Sequence, residues 1–240
     1  FEEFLVGEEM SYFVISDGST FKFFGSAQDH KRVLEGDKGK NTGGMGSYSP
    51  SRLFSKSLEK KIIEKIIEPT FRALKDKKQK FKGFLYAGLM IKNNEPYLIE
   101  YNVRLGDPEC QTILPTLKSD FLDLIIACCK KKLLKKKIIW QRKKSICIVL
   151  CSKGYPDKFK NNIEIKKLNY LKKKSEDFIF HAGTINDEER IYSNGGRVLN
   201  FISISDNLSN SRERILGLIK KLNWKNGFYR KDIGYKALNK

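Results

Sequence analysis

Histidine is almost missing from this chain: His30 and His181 are the only two among 240 residues. A Ser-His-Asp arrangement or a histidine-rich metal centre is therefore not the reading to start from. Cysteine occurs five times, at 110, 128, 129, 147 and 151, with no Cys-x-x-Cys pair and no nearby histidine to complete a zinc site. An odd count with no such pattern excludes a fully paired disulfide framework, so reduced and mostly buried thiols are expected. Long apolar runs are lacking as well. The longest stretches, such as residues 121–129 and 146–151, fall far short of the ~20 residues a membrane span requires, and no membrane partner is expected.

Acidic side chains are the other shortage, with 28 Asp+Glu against 47 Lys+Arg and a formal charge of +19. A surplus of that size raises the question of nucleic acid, because a basic surface releases counterions from a phosphate backbone. The surplus is one-sided: residues 1–120 hold 19 basic and 17 acidic residues, residues 121–240 hold 28 and 11. Much of it lies in the runs at 130–132, 135–137 and 172–174, which have no interleaved aromatics for base stacking. Heavy joint use of Lys, Ile and Asn also fits compositional drift in an A/T-rich coding sequence. A solvated basic face is the preferred reading and a nucleic-acid-binding protein the alternative. Hydrophobic residues at 40% and aromatics at 12% exclude a disordered chain. The length suits one large domain or two modest ones.

What is present is a clear succession of elements. Residues 11–16 and 19–24 are β-rich runs about Asp17-Gly18, a hairpin signal. Residues 26–50 lose periodicity and fill with Gly, Asp, Lys and Asn, which predicts a long loop, and loops of that length are usually functional. Leu58, Ile62, Ile63, Ile66, Ile67, Phe71 and Leu74 recur at helical spacing, with Pro69 expected to kink or break the helix. Residues 84–91 and 96–103 read as a second hairpin around Asn93-Asn94, followed by a helix over 119–134. Beyond the basic stretch come short strands at 145–151, 178–182, 190–192 and 197–204, then a helix over 208–222 with Asp206 as candidate N-cap. A domain boundary is expected near residue 140, giving units 1–140 and 141–240.

The most informative segment is Ile99-Glu100-Tyr101-Asn102-Val103-Arg104-Leu105-Gly106-Asp107-Pro108-Glu109-Cys110-Gln111. On a strand, Glu100, Asn102 and Arg104 share one face while Tyr101 and Val103 point into the opposite layer. A carboxylate and an amide oxygen two residues apart suit Mg²⁺, which takes few protein ligands and keeps the rest for water and phosphate oxygens. Arg104 can steady charge on a transferring phosphoryl group. Glu-x-Asn alone is equally served by an edge strand with a surface ion pair. The loop over 28–50 mixes Lys31, Arg32 and Lys38 with Gly36, Gly39, Gly43, Gly44 and Gly46, so backbone N–H groups could approach anionic oxygens there. Many such basic loops are merely solvated.

The run Arg-Leu-Gly-Asp-Pro-Glu-Cys-Gln resembles the diagnostic motif of the phosphoribosylamine–glycine ligase family, also called glycinamide ribonucleotide synthetases. Glu-x-Asn before it resembles the metal motif of the ATP-grasp superfamily. Residues 2–9, Gln28-Asp29-His30-Lys31-Arg32, Asn41-Thr42-Gly43-Gly44-Met45-Gly46 and the strand over 83–90 resemble further family segments in order. His181-Ala182-Gly183-Thr184, Asn194-Gly195-Gly196-Arg197 and Arg230-Lys231-Asp232-Ile233-Gly234 look like landmarks of its C-terminal domain. The resemblance implies an α+β fold: an ATP-grasp C-terminal lobe, an antiparallel sheet with helices, followed by a small mixed α/β domain. It implies ATP with Mg²⁺ or Mn²⁺ as cofactors, glycine and 5-phosphoribosylamine as substrates, and a cytoplasmic enzyme, expected to be a monomer. Glu100 and Asn102 would hold the metal and Arg104 would stabilise the acyl phosphate. Asp29 and the loop around Asn41 would orient substrates. Glu2, Glu3 and Leu5 would lie along the adenine, and Glu9 would accept hydrogen bonds from the ribose. His181 reads as structural.

The family also has an N-terminal substrate domain and a first ATP-clamping lobe, and neither is in this sequence. The chain opens on Phe1 without Met or a basic n-region, so a fragment without a secretory signal is expected, inefficient by itself. Ala87-Gly88-Leu89-Met90 lacks the acidic ligand many ATP-grasp enzymes carry there, which leaves metal binding to Glu100 and Asn102. A different ATP-grasp carboxylate–amine ligase is the nearest alternative.

Overall fold

A computed structural model of the chain describes residues 3–238. In chain order its strands are β1 (Glu8–Asp17), β2 (Phe21–Asp29), β3 (Arg32–Leu34), β4 (Lys38–Asn41), β5 (Gly46–Ser49), β6 (Lys82–Lys92), β7 (Glu95–Asn102), β8 (Lys144–Ser152), β9 (Ile163–Glu164), β10 (Asp177–His181), β11 (Thr184–Asp187), β12 (Arg190–Ser193), β13 (Arg197–Ser205) and β14 (Gly227–Phe228). The α-helices are α1 (Lys56–Ile62), α2 (Glu68–Asp76), α3 (Glu109–Ile113), α4 (Phe121–Cys129), α5 (Leu208–Leu222) and α6 (Tyr235–Leu238). They fall into two compact units. The first comprises residues up to Gln28, Pro50–Gly106 and Leu117–Gln141; the second comprises Asp29–Ser49, Asp107–Thr116 and the chain from Arg142 on. The last crossing lies beside the boundary expected near 140, but the chain also crosses at four earlier points. The excursion from Asp29 and the turn at Asp107 therefore belong with the second unit, not the first.

In the first unit four antiparallel strands lie in the order β2-β1-β6-β7. Strand β1 is buried from Met10 to Asp17 because both of its faces are covered. Met10, Tyr12 and Val14 pack with Leu85, Ala87 and Leu89 against Leu58, Ile62 and Ile67 of the helical layer. Phe13 faces the other way, onto Tyr86. A bulge between Phe13 and Val14 leaves β2 with one extra residue. Neighbouring phenylalanines thus serve opposite faces: Phe23 stacks on Phe54, and Phe24 meets Phe84 and Trp140. Each large side chain so buried contributes roughly 1.5–3 kcal/mol.

The helix does not break at Pro69. The hydrogen-bond ladder widens into a π segment over Ile63–Ile67, and Glu68 N–H bonds to Ile63 O, so Pro69 enters at the first turn of α2, where its missing N–H costs nothing. Asn93 and Asn94 both hold positive φ, 52° and 59°, as the two-residue turn between β6 and β7 requires. Helix α4 is shorter than the pattern over 119–134. Asp120 caps its start through Asp123 N–H, and Lys131 at φ 55° ends it.

The second unit is built on an antiparallel sheet in the order β10-β13-β8-β5, with β14 pairing the far end of β8. Ile215, Leu218, Ile219 and Leu222 of α5 are buried in its core with Ile146, Ile148, Leu150 and Phe201. The cap of α5 is Asn207, not Asp206: Asn207 has the extended backbone of a cap and accepts from Ser209 N–H. The stretch over 26–50 is not an irregular loop. Strand β2 runs on to Asp29, β3 and β4 pair as a small hairpin, and β5 joins the sheet. All five cysteines are free thiols, with Cys128, Cys147 and Cys151 buried. Among the described residues no helix is long and apolar enough to cross a membrane.

Asp17 sets the first hairpin. Its buried carboxylate accepts from Ser19 N–H, Ser19 Oγ and Thr20 N–H at 2.7–2.9 Å and from Leu133 N–H at 3.1 Å. Burial alone would raise its pKa, but these donors hold it at about 2. Asp17→Ala strands buried N–H groups at both ends and is expected to cost about 2–4 kcal/mol, with Asp17→Asn recovering part; urea unfolding of the three proteins measures it.

Candidate functional site

In the first unit the sequence-predicted metal strand brings its polar side chains into one row. Asn102 Nδ2 donates to Glu100 Oε1 at 3.2 Å, Arg104 Nη2 lies 3.4 Å from Asn102 Oδ1, and Arg104 Nη1 donates to Leu105 O at 3.0 Å. Glu100 stands opposite Gly88 and Asn102 opposite Tyr86. Ile99 is the extra residue of a bulge between these pairs and Leu89–Leu98. Gly88 makes room: a Cβ there would lie 3.1 Å from Glu100 Cγ. Tyr101 points to the helical layer, where its hydroxyl meets Thr70 Oγ1 at 2.6 Å. Two details depart from a plain alternating strand. Strand β7 ends at Asn102, so Arg104 lies in the bend beyond it, and Val103 is 72% exposed instead of entering a layer.

Among the described residues no group of three or more His, Cys, Asp or Glu converges as a metal cage. Glu100 and Asn102 offer one anionic and one neutral hard oxygen, which fits a cation that retains several waters and phosphate oxygens. Asn102 presents its NH₂ to Glu100, so ligation by both requires the amide turned over, with Oδ1 toward Glu100.

Residues 3–7 lie outside any strand. Glu3 is exposed and Leu5 half-buried, while Glu2 falls outside the described residues. Gly7 passes so close to β6 that a Cβ would come within 2.5 Å of Ile91 O. Glu9, the second residue of β1, stands opposite Met90 and is exposed, while its neighbour Glu8 is ion-paired with Arg52.

In the second unit the excursion from Asp29 to Ser49 carries the other predicted residues. Asp29 is half-buried and its Oδ1 accepts from His30 N–H at 2.7 Å; Asn41 is exposed at the end of β4, opposite Arg32. The glycines do not form an open anion cradle. Gly36 N–H donates to Asp232, Gly43 N–H to Tyr155 Oη and Gly44 N–H to Thr42 Oγ1, at 2.8–3.0 Å.

Sequence reasoning assigned no role to Arg230, whose side chain is 1% exposed. Its guanidinium donates to Asp232 at 2.7 and 2.8 Å, to Asp37 at 3.0 Å and to Arg32 O at 2.9 Å. Lys236 adds a 2.7 Å bond to Asp37, whose carboxyl is held at about 2 against the opposing effect of burial. His30 is buried beside this cluster and accepts from Gly234 N–H through Nε2 at 3.2 Å. Burial first, then the Arg230 charge, lowers its pKa to about 4. His30 is thus a neutral structural residue. His181 is exposed and pairs with Thr184 Oγ1 at 2.9 Å. The only advance signal for Arg230 was its place in the motif over 230–234.

An antiparallel sheet carrying a Glu-x-Asn strand, with a second α+β unit interleaved along the chain, is the arrangement expected of an ATP-grasp lobe with an appended domain. Residues 1–110 match the ATP-grasp (A) domain of phosphoribosylglycinamide synthetase and residues 145–236 its C domain. This chain belongs to the phosphoribosylglycinamide synthetase family. It is 43% identical over 234 residues to the phosphoribosylamine–glycine ligase of Fusobacterium nucleatum, covering 97% of this chain and 55% of that protein. Its likeness to the chloroplastic phosphoribosylamine–glycine ligase of Arabidopsis thaliana is 42%, over 99% of this chain and 45% of that one. The solved phosphoribosylamine–glycine ligase of Thermotoga maritima superposes with a TM-score of 0.85 at 32% identity, over 97% of this chain and 57% of that chain. The chain thus spans about half the length of the curated relatives it matches.

The buried His30 makes stability depend on pH. Its folded pKa of about 4 lies below the ordinary 6.5, so the unfolded chain binds the extra proton between these values and stability falls as pH drops through that window. The expected contribution is on the order of 2–3 kcal/mol lost between pH 7 and 4.5. Urea midpoints at both pH values should show His30→Gln losing this component.

Proposed function

We propose that this chain provides the metal strand and the substrate excursion of an ATP-dependent ligase joining glycine to 5-phosphoribosylamine, within de novo purine synthesis. Family membership and the hydrogen-bonded row Glu100, Asn102, Arg104 support this reading most directly. In the first step glycine's carboxylate oxygen attacks the γ-phosphorus of ATP, giving glycyl phosphate and ADP. The amine nitrogen of phosphoribosylamine then attacks the acyl carbon, phosphate leaves, and the nitrogen gives up a proton as the amide forms. No side chain has to act as nucleophile, so the protein contributes positioning and charge neutralisation.

A divalent cation, Mg²⁺ or Mn²⁺, supplies charge neutralisation on the nucleotide phosphates when bound. Glu100 and Asn102 hold it in this reading, and Gly88 keeps the space that the Glu100 side chain occupies. Arg104, in the bend beyond β7, steadies negative charge on the transferring phosphoryl group. Glu2, Glu3 and Leu5 line the adenine and Glu9 accepts from the ribose hydroxyls, a task suited to an acceptor-only carboxylate. Asp29 and Asn41 orient the substrates. A cytoplasmic location and a monomeric state accompany the reading.

In a complete enzyme carrying this chain, Glu100→Ala is expected to lower Mg·ATP-dependent formation of glycinamide ribonucleotide by at least about 10²–10³-fold. Glycine labelled with ¹⁸O in its carboxylate should pass one label to inorganic phosphate in the unmodified enzyme. Near-normal turnover of the variant removes the metal assignment, and a marked preference for another carboxylic acid removes glycine as substrate.

A further inference from the structure

The Asn194-Gly195-Gly196-Arg197 segment has no chemistry assigned to it above, and its geometry within the second unit gives it one. Arg197 opens β13 and sends its guanidinium to two segments far away in sequence. Nη1 donates to Gly43 O at 2.6 Å and to Asp107 O at 2.9 Å, while Nη2 donates to Asp107 Oδ2 at 2.9 Å. The same Gly43 peptide is held from its other end, because its N–H donates to Tyr155 Oη at 3.0 Å. Tyr155 reaches that position because residue 196 is glycine: a Cβ there would overlap the Tyr155 ring at 2.1 Å. Gly195 is fixed in turn by Ser152, whose Oγ donates to Gly195 O at 2.8 Å and whose N–H donates to Gly196 O at 2.7 Å.

The fastened peptide adjoins a residue read as orienting the substrates. A Cβ on Gly44 would lie 2.5 Å from Pro108 Cδ and 2.8 Å from Asp29 Oδ1, so Gly44 is wedged between the Asp107-Pro108 turn and the Asp29 carboxylate. Gly43-Gly44 and Asp107-Pro108 are thus held together by one guanidinium and one phenol, with the Asp29 carboxylate packed against Gly44. A planar, two-armed donor suits this task better than an ammonium, since its rigid fork directs separate N–H groups at the carboxylate and at the two carbonyls.

We infer that Arg197 is a positioning residue of the ligase reaction, holding the Gly43 peptide and the Asp107 turn so that the Asp29 carboxylate is presented in one orientation. The inference rests on the proposed function for its kinetic consequence but not for its structural one. Arg197 touches no reacting atom. Loosening the excursion misplaces the substrates while leaving the nucleotide residues of the metal strand unchanged.

The complete enzyme is compared with Arg197→Ala, Arg197→Lys and Tyr155→Phe. Arg197→Ala is expected to lower kcat by about 10–100-fold and to raise the KM of glycine or of phosphoribosylamine about tenfold or more, with the KM of ATP within twofold of the parent. Millimolar methylguanidine should restore part of the lost kcat, and Arg197→Lys should not match that rescue. Tyr155→Phe, which removes only the acceptor of Gly43 N–H, should give a smaller change in the same sense. Hydrogen exchange on this chain supplies a readout that needs no activity: amides over 42–45 should exchange at least tenfold faster in Arg197→Ala, with those of β8 and α5 unchanged. Parent-like kinetics, an ATP KM that rises as much as the others, or unaltered exchange over 42–45 overturns the inference. A parent enzyme that exchanges as described yet does not ligate glycine overturns the functional reading instead.

Discussion

The second unit depends on a buried guanidinium. Arg230 is 1% exposed, and a charge taken that far from water costs several kcal/mol unless its donors are met. Here Asp232, Asp37 and the Arg32 carbonyl meet them. What this achieves is attachment. The stretch from Asp29 to Ser49 is rich in glycine, lysine and other small or polar residues, with few side chains such as Val33, Met45 and Tyr48 to bury, so apolar packing alone cannot fasten it. Ionic and hydrogen-bonded pins from 230–236 take over for residues 30–37, and Arg197 with Tyr155 does so at Gly43. Removing Arg230 would take the shared donor from both carboxylates, whereas removing either carboxylate leaves the guanidinium paired with the other, so the attachment leans most on the arginine.

The sheets were legible wherever burial imposed a simple period. Both hairpins of the first unit, strand β8 and helix α5 follow directly from runs of apolar side chains and from turn dipeptides such as Asp17-Gly18 and Asn93-Asn94. Residues 26–50 were not legible as strands, since β3, β4 and β5 are short and two of them are exposed, so no alternation marks them. The π segment before Pro69 was hidden for a different reason. A proline rule foresees the missing N–H but not that the ladder can widen just ahead of it and carry the helix through. The interleaving of the units was out of reach because pairing partners, not local propensity, decide where β5 and the Asp107 turn belong.

The candidate site divides in the same way. Glu100 and Asn102 were readable because side-chain alternation is local and survives the bulge at Ile99. Arg104 was assigned the same face, yet the strand ends before it, so its direction is set by the bend and its bonds to Leu105 O and Asn102 Oδ1, not by strand alternation. For Arg197 and Arg230 the sequence showed only an arginine beside glycines and another beside an aspartate. Nothing local distinguishes a guanidinium that is 1% exposed from one in solvent, since most of the partners are distant, 90 and 154 residues from Arg197 and 193 and 198 residues from Arg230.

The glycines of the excursion bear on what can meet a substrate there. Glycine-rich basic loops invite the expectation that bare N–H groups will cradle an anion. In this chain Gly36, Gly43 and Gly44 spend their N–H groups on Asp232, Tyr155 and Thr42. Their lack of a Cβ serves close approach instead, to Arg197 at Gly43 and to Pro108 and Asp29 at Gly44. A backbone already committed to internal partners has few donors to offer a ligand without breaking its own bonds, so recognition passes to side chains held on that braced backbone. In the proposed reading Asp29 and Asn41 are those side chains, and Arg197 and Tyr155 would then act on the substrate only through the backbone they hold.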